Sequence, residues 1–184
     1  MQLLRYTVAL ALAGCVQFDR PPEQRTPDAA NPQPDAGGDA FDETLSQAAE
    51  RVITTWQRCL ALDDLSISGM ASKWPKINTE TGGDCASCHS TGGNGFLATT
   101  NLELLHSTLT TNRPYLLGYF TVDLTRGPAG AAMIVNTAVQ SAVSQALPPY
   151  ANHPRFDPAE GLSASETLRQ IVQRRIDMGL CPGD

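Results

Sequence analysis

The 184-residue sequence has only three histidines and five cysteines, and charged residues make up 17% of it. It contains no Gly-x-Ser-x-Gly motif, so a nucleophilic hydrolase of that type is poorly supported. Its glycine pairs are not followed by the Lys-Ser/Thr of a phosphate-binding loop. The net charge of −6 argues against nucleic acid as a partner. The few cysteines and histidines are therefore the residues to explain.

One stretch places two cysteines and a histidine together, Cys85-Ala86-Ser87-Cys88-His89. Two thiols separated by two residues can each add to one vinyl group of a porphyrin, and the next imidazole then lies under the iron as proximal ligand. The motif predicts one covalent haem c, held by Cys85 and Cys88 and ligated by His89. The alternatives are a zinc half-site, for which no second Cys/His pair offers a fourth ligand, and a thioredoxin-type dithiol, for which the βαβ pattern is missing.

The first residues predict export and a lipid anchor. Residues 1–14 have the form of a signal peptide, with one positive charge before an apolar run too short to span a bilayer. Leu12-Ala13-Gly14-Cys15 resembles the lipobox of bacterial lipoproteins, which implies that Cys15 becomes the lipidated first residue and holds the protein on its membrane. Val16, where an aspartate would argue for inner-membrane retention, favours the outer membrane. An ordinary cleavage site beside a chance cysteine is the alternative.

The residues after the signal peptide divide into a tether and one domain. Residues 15–40 are rich in Pro, Asp, Ala and Gly and cannot bury enough apolar area to repay ordering. Residues 41–184 are long enough for one hydrophobic core, contain no internal repeat and carry one CxxCH. Removing the signal peptide deletes Arg5 and takes the net charge from −6 to −7. A redox partner protein is therefore expected to present a basic docking patch.

Two cysteines are left once Cys15 takes lipid and the CxxCH motif takes haem. An oxidising export pathway favours a disulfide between Cys59 and Cys181. A loop of that length would stabilise the fold by about 4–5 kcal/mol in the chain-entropy model. Two unpaired buried thiols are the alternative.

Hydrophobic periodicity predicts a mainly α-helical domain. The first helix is expected to follow Asp42 as N-cap and to carry Cys59 beside its apolar stripe. The last is expected to begin at the capping box Ser163–Glu166 and to stop at Gly179. Residues 115–124 are aromatic and β-branched, which favours an extended segment or a small hairpin. Shorter helices are expected at residues 66–74, where Pro75 follows, 101–110 and 129–147.

With these features the domain resembles the class I, mitochondrial cytochrome c-like family of c-type cytochromes. The resemblance rests on Cys85-Ala86-Ser87-Cys88-His89, the helical pattern and the packed terminal helices, and it covers residues 41–181. It implies a cytochrome c-like helical fold and one-electron transfer as the function, with no catalytic residues. In that family the attachment motif closes the first helix, whereas more than twenty residues separate Cys59 from Cys85 here.

The sixth iron ligand distinguishes the possible kinds of haem protein. Met133 lies 44 residues after His89, a spacing similar to that of the distal methionine in short bacterial members of the family. Its thioether would raise the reduction potential, although core packing is the other interpretation of this residue. His153, a loop histidine between aromatic and proline neighbours, is the alternative ligand and would lower the potential. Packing roles are expected for His106, Met70 and Met178.

Other groups are candidates to surround the haem. The candidates to pair with a haem propionate are Arg113, Arg126 and Arg155, although each is also consistent with solvated surface charge. Gly82-Gly83 and Gly92-Gly93-Asn94-Gly95 flank the motif, and their glycines would let the backbone pass close to a porphyrin. The candidates to wall the haem, or simply to fill the core, are Trp56, Trp74, Tyr115, Tyr119 and Phe120.

The sequence thus predicts a membrane-anchored monohaem c-type cytochrome that carries single electrons. One alternative is a haem enzyme or gas sensor with an open sixth iron position. Another is a docking subunit that presents its haem to a larger complex, for which the tether would be suited.

Overall fold

A computed structural model describes residues 43–181, except for the side chain of Asn94. This part of the chain is mainly helical, as predicted, with eight α-helices and one small two-stranded sheet. None of its helices is long and apolar enough to cross a bilayer. The residues predicted to form the signal peptide and the tether, together with Cys15 and Asp42, lie outside the described residues. The helices are α1 (Leu45–Cys59), α2 (Leu62–Ile67), α3 (Met70–Lys73), α4 (Cys85–His89), α5 (Leu102–Thr111), α6 (Arg113–Tyr119), α7 (Thr137–Ser144) and α8 (Ala159–Asp177).

Thr44 starts α1 through a capping box. The Gln47 backbone N–H donates to Thr44 Oγ1 at 3.2 Å, and the Thr44 N–H donates to Gln47 Oε1 at 2.8 Å. Two amide donors that lack helical partners are satisfied in this way. The predicted apolar stripe is buried at Ala48, Ile53 and Trp56, so this face of α1 belongs to the core.

The start predicted for the last helix is wrong. α8 begins at Ala159, directly after Pro158, and Ser163 therefore lies inside the helix. The Asp157 carboxylate accepts a hydrogen bond from the Ala159 N–H at 2.9 Å, which satisfies a first-turn donor four residues before Ser163. Glu166 pairs with an arginine of its own helix instead of capping it.

The predicted stop at Gly179 is confirmed. Gly179 has a φ of +63°, the left-handed conformation that favours glycine. Its N–H donates to the Ile176 carbonyl, and the Leu180 N–H donates to the Arg175 carbonyl, both at 3.0 Å. These two bonds form a Schellman motif, which ends α8 just before Cys181.

α1 and α8 pack against each other, and their ends are joined. Cys59 and Cys181 form a disulfide, as predicted, with Cα atoms 4.6 Å apart although 122 positions separate them in the sequence. Arg175 of α8 donates beside it to the Asp64 carboxylate at 2.7 Å and to the Cys59 carbonyl at 3.0 Å. A covalent bond and a largely buried ion pair thus fix the same corner of the fold.

The region predicted as one helix at residues 66–74 is divided. Gly69 has a φ of +80° and separates α2 from α3. Pro75 ends α3 as predicted but lies within a 3₁₀ turn, Trp74–Lys76, that continues the chain. The helix expected at 101–110 is present as α5, with the Asn101 side chain accepting from the Leu104 N–H at 3.0 Å.

A small hairpin is present, although its position differs from the prediction. Residues 113–119 form α6, whose first turn accommodates Pro114 because that position needs no N–H donor. Strand β1 (Phe120–Asp123) follows and pairs antiparallel with β2 (Ala132–Val135). The predicted helix over 129–147 is therefore wrong in its first part, where β-branched residues pair with β1, and correct only over α7, Thr137–Ser144.

Aromatic side chains connect this core to the region around α4. Trp56 of α1 packs on Phe120 with ring centroids 4.7 Å apart. Tyr119 packs on Phe96 at 4.5 Å and on Trp74 at 5.5 Å. Phe96 and Trp74 border the cavity described next, so the core packs directly against the cavity wall.

Candidate cofactor site

The CxxCH motif forms the one-turn helix α4. The Ser87 N–H donates to Asp84 Oδ1 at 2.9 Å, and the Asp84 N–H donates to Ser87 Oγ at 3.2 Å, so a capping box starts the helix. The Cys85 N–H donates to the Ile77 carbonyl at 3.0 Å and ties this start to the preceding loop. Local sequence therefore sets the relative placement of Cys85, Cys88 and His89.

His89 is buried and held in a defined orientation. Its Nδ1 lies 2.8 Å from the Gly93 carbonyl, which can only accept a hydrogen bond, so Nδ1 carries the proton. Phe96 packs edge-on against the ring at a centroid distance of 5.5 Å and an interplanar angle of 90°. A carbonyl on one ring nitrogen is the usual support of a metal-binding histidine, because it leaves Nε2 free as the ligand.

A cavity of about 390 Å³ adjoins His89. Its volume lies within the range of small-molecule and cofactor sites. Cys85, His89 and His153 contribute polar or ligating atoms to its lining. The rest of the wall is mainly apolar and comes from α6, α7 and the segments beside them, including Trp74, Phe96, Leu117, Val139, Val143 and Phe156.

His153 comes from a distant part of the sequence and lies next to His89. The two ring centroids are 6.1 Å apart and the ring planes differ by 22°. His153 Nδ1 lies 2.7 Å from the Pro154 carbonyl, and Phe156 packs against its ring at 5.6 Å. Each histidine thus has one ring nitrogen bonded to a carbonyl and an aromatic neighbour.

The two thiols of the motif differ in environment. Cys85 is buried, and this burial, together with the nearby Asp84 carboxylate and Cys88, raises the pKa of its thiol to about 11. Cys88 is exposed. A dithiol oxidoreductase needs a nucleophilic cysteine with a lowered pKa, so the environment of Cys85 disfavours that alternative. Within residues 43–181 no group of three or more His, Cys, Asp or Glu side chains is arranged to hold a metal ion.

Comparison with known proteins gives no relative. No family model matches the chain, and no curated protein and no solved structure is significantly similar to it. The chemistry of the cavity has to be inferred from the residues that line it.

Met133, the first choice as distal ligand, lies apart from this cavity. It is 1% exposed on β2, opposite Val122 of β1, and belongs to the hydrophobic core. It is not among the residues that line the cavity next to His89. The structure therefore brings His153, not Met133, to His89, and it gives Met133 the packing role that was the other interpretation.

The other residues with predicted packing roles follow the prediction in two cases of three. Met70 is buried at 1% exposure, and the His106 ring is part-buried with Nε2 3.0 Å from the Leu60 carbonyl. Met178 differs, since it caps the end of α8 and is 61% exposed.

The three arginines do not line the cavity. Arg113 forms an ion pair with Glu50, and Arg126 and Arg155 are exposed. Among the aromatic candidates only Trp74 borders the cavity, while Trp56, Tyr119 and Phe120 fill the core behind it. Tyr115 donates its hydroxyl to the Gly92 carbonyl at 2.7 Å.

One flanking glycine serves a neighbouring side chain rather than the cavity. A Cβ on Gly92 would lie 2.8 Å from the Tyr115 hydroxyl, so this glycine makes room for that ring. Gly95 alone of the flanking glycines borders the cavity.

Several wall residues were not singled out in the sequence. Val139 and Val143 are four positions apart on α7 and therefore share a helix face. Their spacing is visible in the sequence, but it does not show what this face packs against. Gln140 of the same helix donates its amide to the Gly118 carbonyl at 2.6 Å and joins α7 to α6. Phe96, which supports His89, carried no distinguishing signal, and Phe156 was visible only as an aromatic neighbour of His153 in the sequence.

Proposed function

We propose that the protein is a monohaem c-type cytochrome that carries single electrons. The observation that supports this most directly is the CxxCH helix, whose histidine presents a free Nε2 beside an apolar cavity. His89 is 9% exposed, Cys85 is 7% exposed, and both border the same cavity. These residues fit haem c, because its attachment needs two free thiols, which are Cys85 and Cys88, one oriented imidazole and an apolar wall.

Each residue of the motif has a distinct role in this proposal. Cys85 and Cys88 would hold the haem through two thioethers, because each S–H can add across one vinyl C=C without an oxidant. His89 supplies the proximal nitrogen, and the Gly93 carbonyl keeps that nitrogen unprotonated. Haem c held there supplies one-electron Fe(III)/Fe(II) chemistry. The apolar side chains exclude water from the iron and help to set its reduction potential.

The proposal includes the cytochrome c-like class as the nearest fold type. A mainly helical domain, contact between α1 and α8, and a histidine that closes the attachment helix support it. The hairpin β1–β2 and the α2–α3 segment before the motif are departures from a minimal domain of that kind.

The proposed location follows from residues outside the described range. A signal peptide at 1–14, lipidation at Cys15 and a tether to residue 40 would hold the haem domain outside the cytoplasm, on the outer membrane. The acidic net charge favours a redox partner protein with a basic docking patch. Radiolabelled palmitate should be incorporated by the wild type and not by Cys15→Ala, which should also be released from membranes. Equal labelling of the two proteins would refute lipidation.

Expression in cells that mature c-type cytochromes tests the haem assignment. The purified protein should be red, should retain haem after acid–organic extraction, and should gain the mass of one haem. Replacing both Cys85 and Cys88 by Ser should leave the haem extractable or absent. Ser163→Ala, an exposed change on α8, is the matched control and should retain covalent haem. A colourless wild-type protein of unmodified mass would overturn the proposal.

A further inference from the structure

We infer that His153 is the second axial ligand of the iron, so that the haem is bis-histidine ligated and six-coordinate. This inference rests on the proposed covalent haem. Bis-histidine ligation replaces the His/Met pair that the sequence spacing favours. It makes the protein an electron carrier with a low reduction potential.

The separation of the two imidazoles carries the inference. A metal–imidazole bond is about 2.0 Å long and the ring centre lies about 1.1 Å behind the bonded nitrogen, so two imidazoles on opposite sides of one metal have centroids about 6 Å apart. The centroids of His89 and His153 are 6.1 Å apart. The two ring planes differ by 22° and are therefore nearly parallel.

The hydrogen bonds of the two rings point to the same conclusion. His89 donates from Nδ1 to the Gly93 carbonyl, and His153 donates from Nδ1 to the Pro154 carbonyl. In each ring the nitrogen that remains unprotonated is Nε2, which makes no hydrogen bond to any residue in 43–181. Two rings with the same tautomer and the same free nitrogen are prepared for ligation.

The loop that carries His153 is fixed at both of its ends. The His153 N–H donates to the Tyr150 carbonyl at 2.9 Å, and the Phe156 N–H donates to the Ser144 carbonyl at 3.2 Å, at the end of α7. Thr79 and Phe156 form an isolated antiparallel bridge. These bonds hold His153 in place without any cofactor, which lowers the cost of ordering a sixth ligand.

The same loop is bonded to the segment that precedes the attachment helix. The Glu80 N–H donates to the Arg155 carbonyl at 2.9 Å, and the Thr79 N–H donates to the Gly83 carbonyl at 3.1 Å. Gly83 directly precedes Asp84, the cap of α4. A short series of backbone bonds therefore connects the two histidines, although 64 positions separate them in the sequence.

Two other candidate ligands are less well placed than His153. Gln140 uses its amide in a hydrogen bond to the Gly118 carbonyl, and Met133 lies in the core. Two histidine ligands give a lower reduction potential than a histidine and a methionine, which raises it. They also leave no open position for carbon monoxide, oxygen or peroxide.

The test uses the haem-loaded protein and three variants: His153→Ala, His153→Met and the control Met133→Leu. Wild type and Met133→Leu should both give low-spin ferric spectra of the bis-histidine type by electron paramagnetic resonance. His153→Ala should become high-spin, and its ferrous form should bind carbon monoxide at least about tenfold faster than the wild type. Added imidazole should restore the low-spin spectrum. His153→Met should raise the midpoint potential.

The outcomes separate this inference from the haem proposal. Covalent haem in every protein, with an unchanged low-spin spectrum in His153→Ala, would overturn the inference and leave the haem proposal standing. A spectral change in Met133→Leu, with none in His153→Ala, would return the assignment to methionine. If His153→Ala does not accumulate, the His153→Met potential and spectrum decide alone. Absence of haem from the wild type would remove both proposals.

Discussion

The corner where α1 meets α8 and the cavity beside α4 are held together by different means. At the α1–α8 corner the links are the Cys59–Cys181 disulfide, the Asp64–Arg175 ion pair and fully buried side chains. Around the cavity, each histidine is held by one carbonyl and by backbone bonds of its loop. Stability and site geometry are therefore separable. Substitutions at the α1–α8 corner should change the free energy of unfolding and leave the cavity intact, and substitutions in the cavity should do the reverse.

Removing the disulfide should have the largest effect on stability. Cys59→Ser combined with Cys181→Ser opens a loop of 122 positions, and the free energy of unfolding should fall by about 4 kcal/mol. Urea denaturation of wild type and double variant measures the difference, and wild type with reductant is the control. The visible spectrum of the folded variant should not change. A changed spectrum in the folded state would show that the corner and the cavity are coupled.

Breaking the buried ion pair should rank second. Asp64 is 1% exposed, and its removal leaves Arg175 partly buried without its carboxylate partner. Asp64→Ala should lower the free energy of unfolding by about 3 kcal/mol. Glu160→Ala is the matched control, since it removes the exposed pair with Lys73 and should cost less than about 1 kcal/mol. Equal losses in the two variants would contradict the special role of the corner.

Gly161→Ala tests the contact between the two regions. A Cβ at Gly161 would lie 2.6 Å from the Trp74 ring, which borders the cavity. Overpacking costs about 2–3 kcal/mol, and the better helix propensity of alanine returns about 1, so a net loss of about 1–2 kcal/mol is expected. Ser163→Ala on the same helix should be nearly neutral. Unlike loss of the disulfide or of the ion pair, Gly161→Ala should also shift the haem absorption bands. A spectrum identical to that of the wild type would argue against contact between residue 161 and the Trp74 ring.

Local patterns predicted the parts of the molecule that depend on neighbours in sequence. The spacing of Cys85, Cys88 and His89 fixes their placement because a single helical turn carries all three. The helix at residues 101–110, the stop at Gly179 and the apolar stripe of α1 follow from the same local rules. The disulfide was predicted without any structural information, from the cysteine count and the oxidising compartment that the predicted export implies.

Most features that could not be predicted from the sequence depend on contacts between residues far apart in the chain. Met133 was placed in a helix because a short apolar run does not distinguish helix from strand, and pairing with β1 decides the matter. The meeting of His153 and His89 depends on a bridge between Thr79 and Phe156, which no periodicity reveals. Spacing taken from a resemblance therefore gave the less well supported of the two distal candidates.

The smallest effect expected concerns the two thiols of the haem-free chain. Cys88 is exposed, whereas Cys85 is buried with a pKa raised from 9.0 to about 11. At pH 8 iodoacetamide should therefore modify Cys88 quickly. It should modify Cys85 at least about tenfold more slowly, because the thiolate is the reactive form. Peptide mapping by mass spectrometry locates the label, and Cys85→Ser should keep the fast reaction.

The pH dependence of the same thiol gives the sign of its contribution to stability. Because the folded state raises the pKa of Cys85, folding favours the protonated thiol, and its contribution is fully present below pH 9. That contribution should be lost as the pH rises from about 9 to about 11, which the difference in urea midpoint between wild type and Cys85→Ser measures. A difference that does not change over this range would mean that Cys85 is open to solvent, and the cavity wall beside His89 would then differ from the structure. The Cys59–Cys181 corner should show no part of this effect, since neither of its sulfurs titrates.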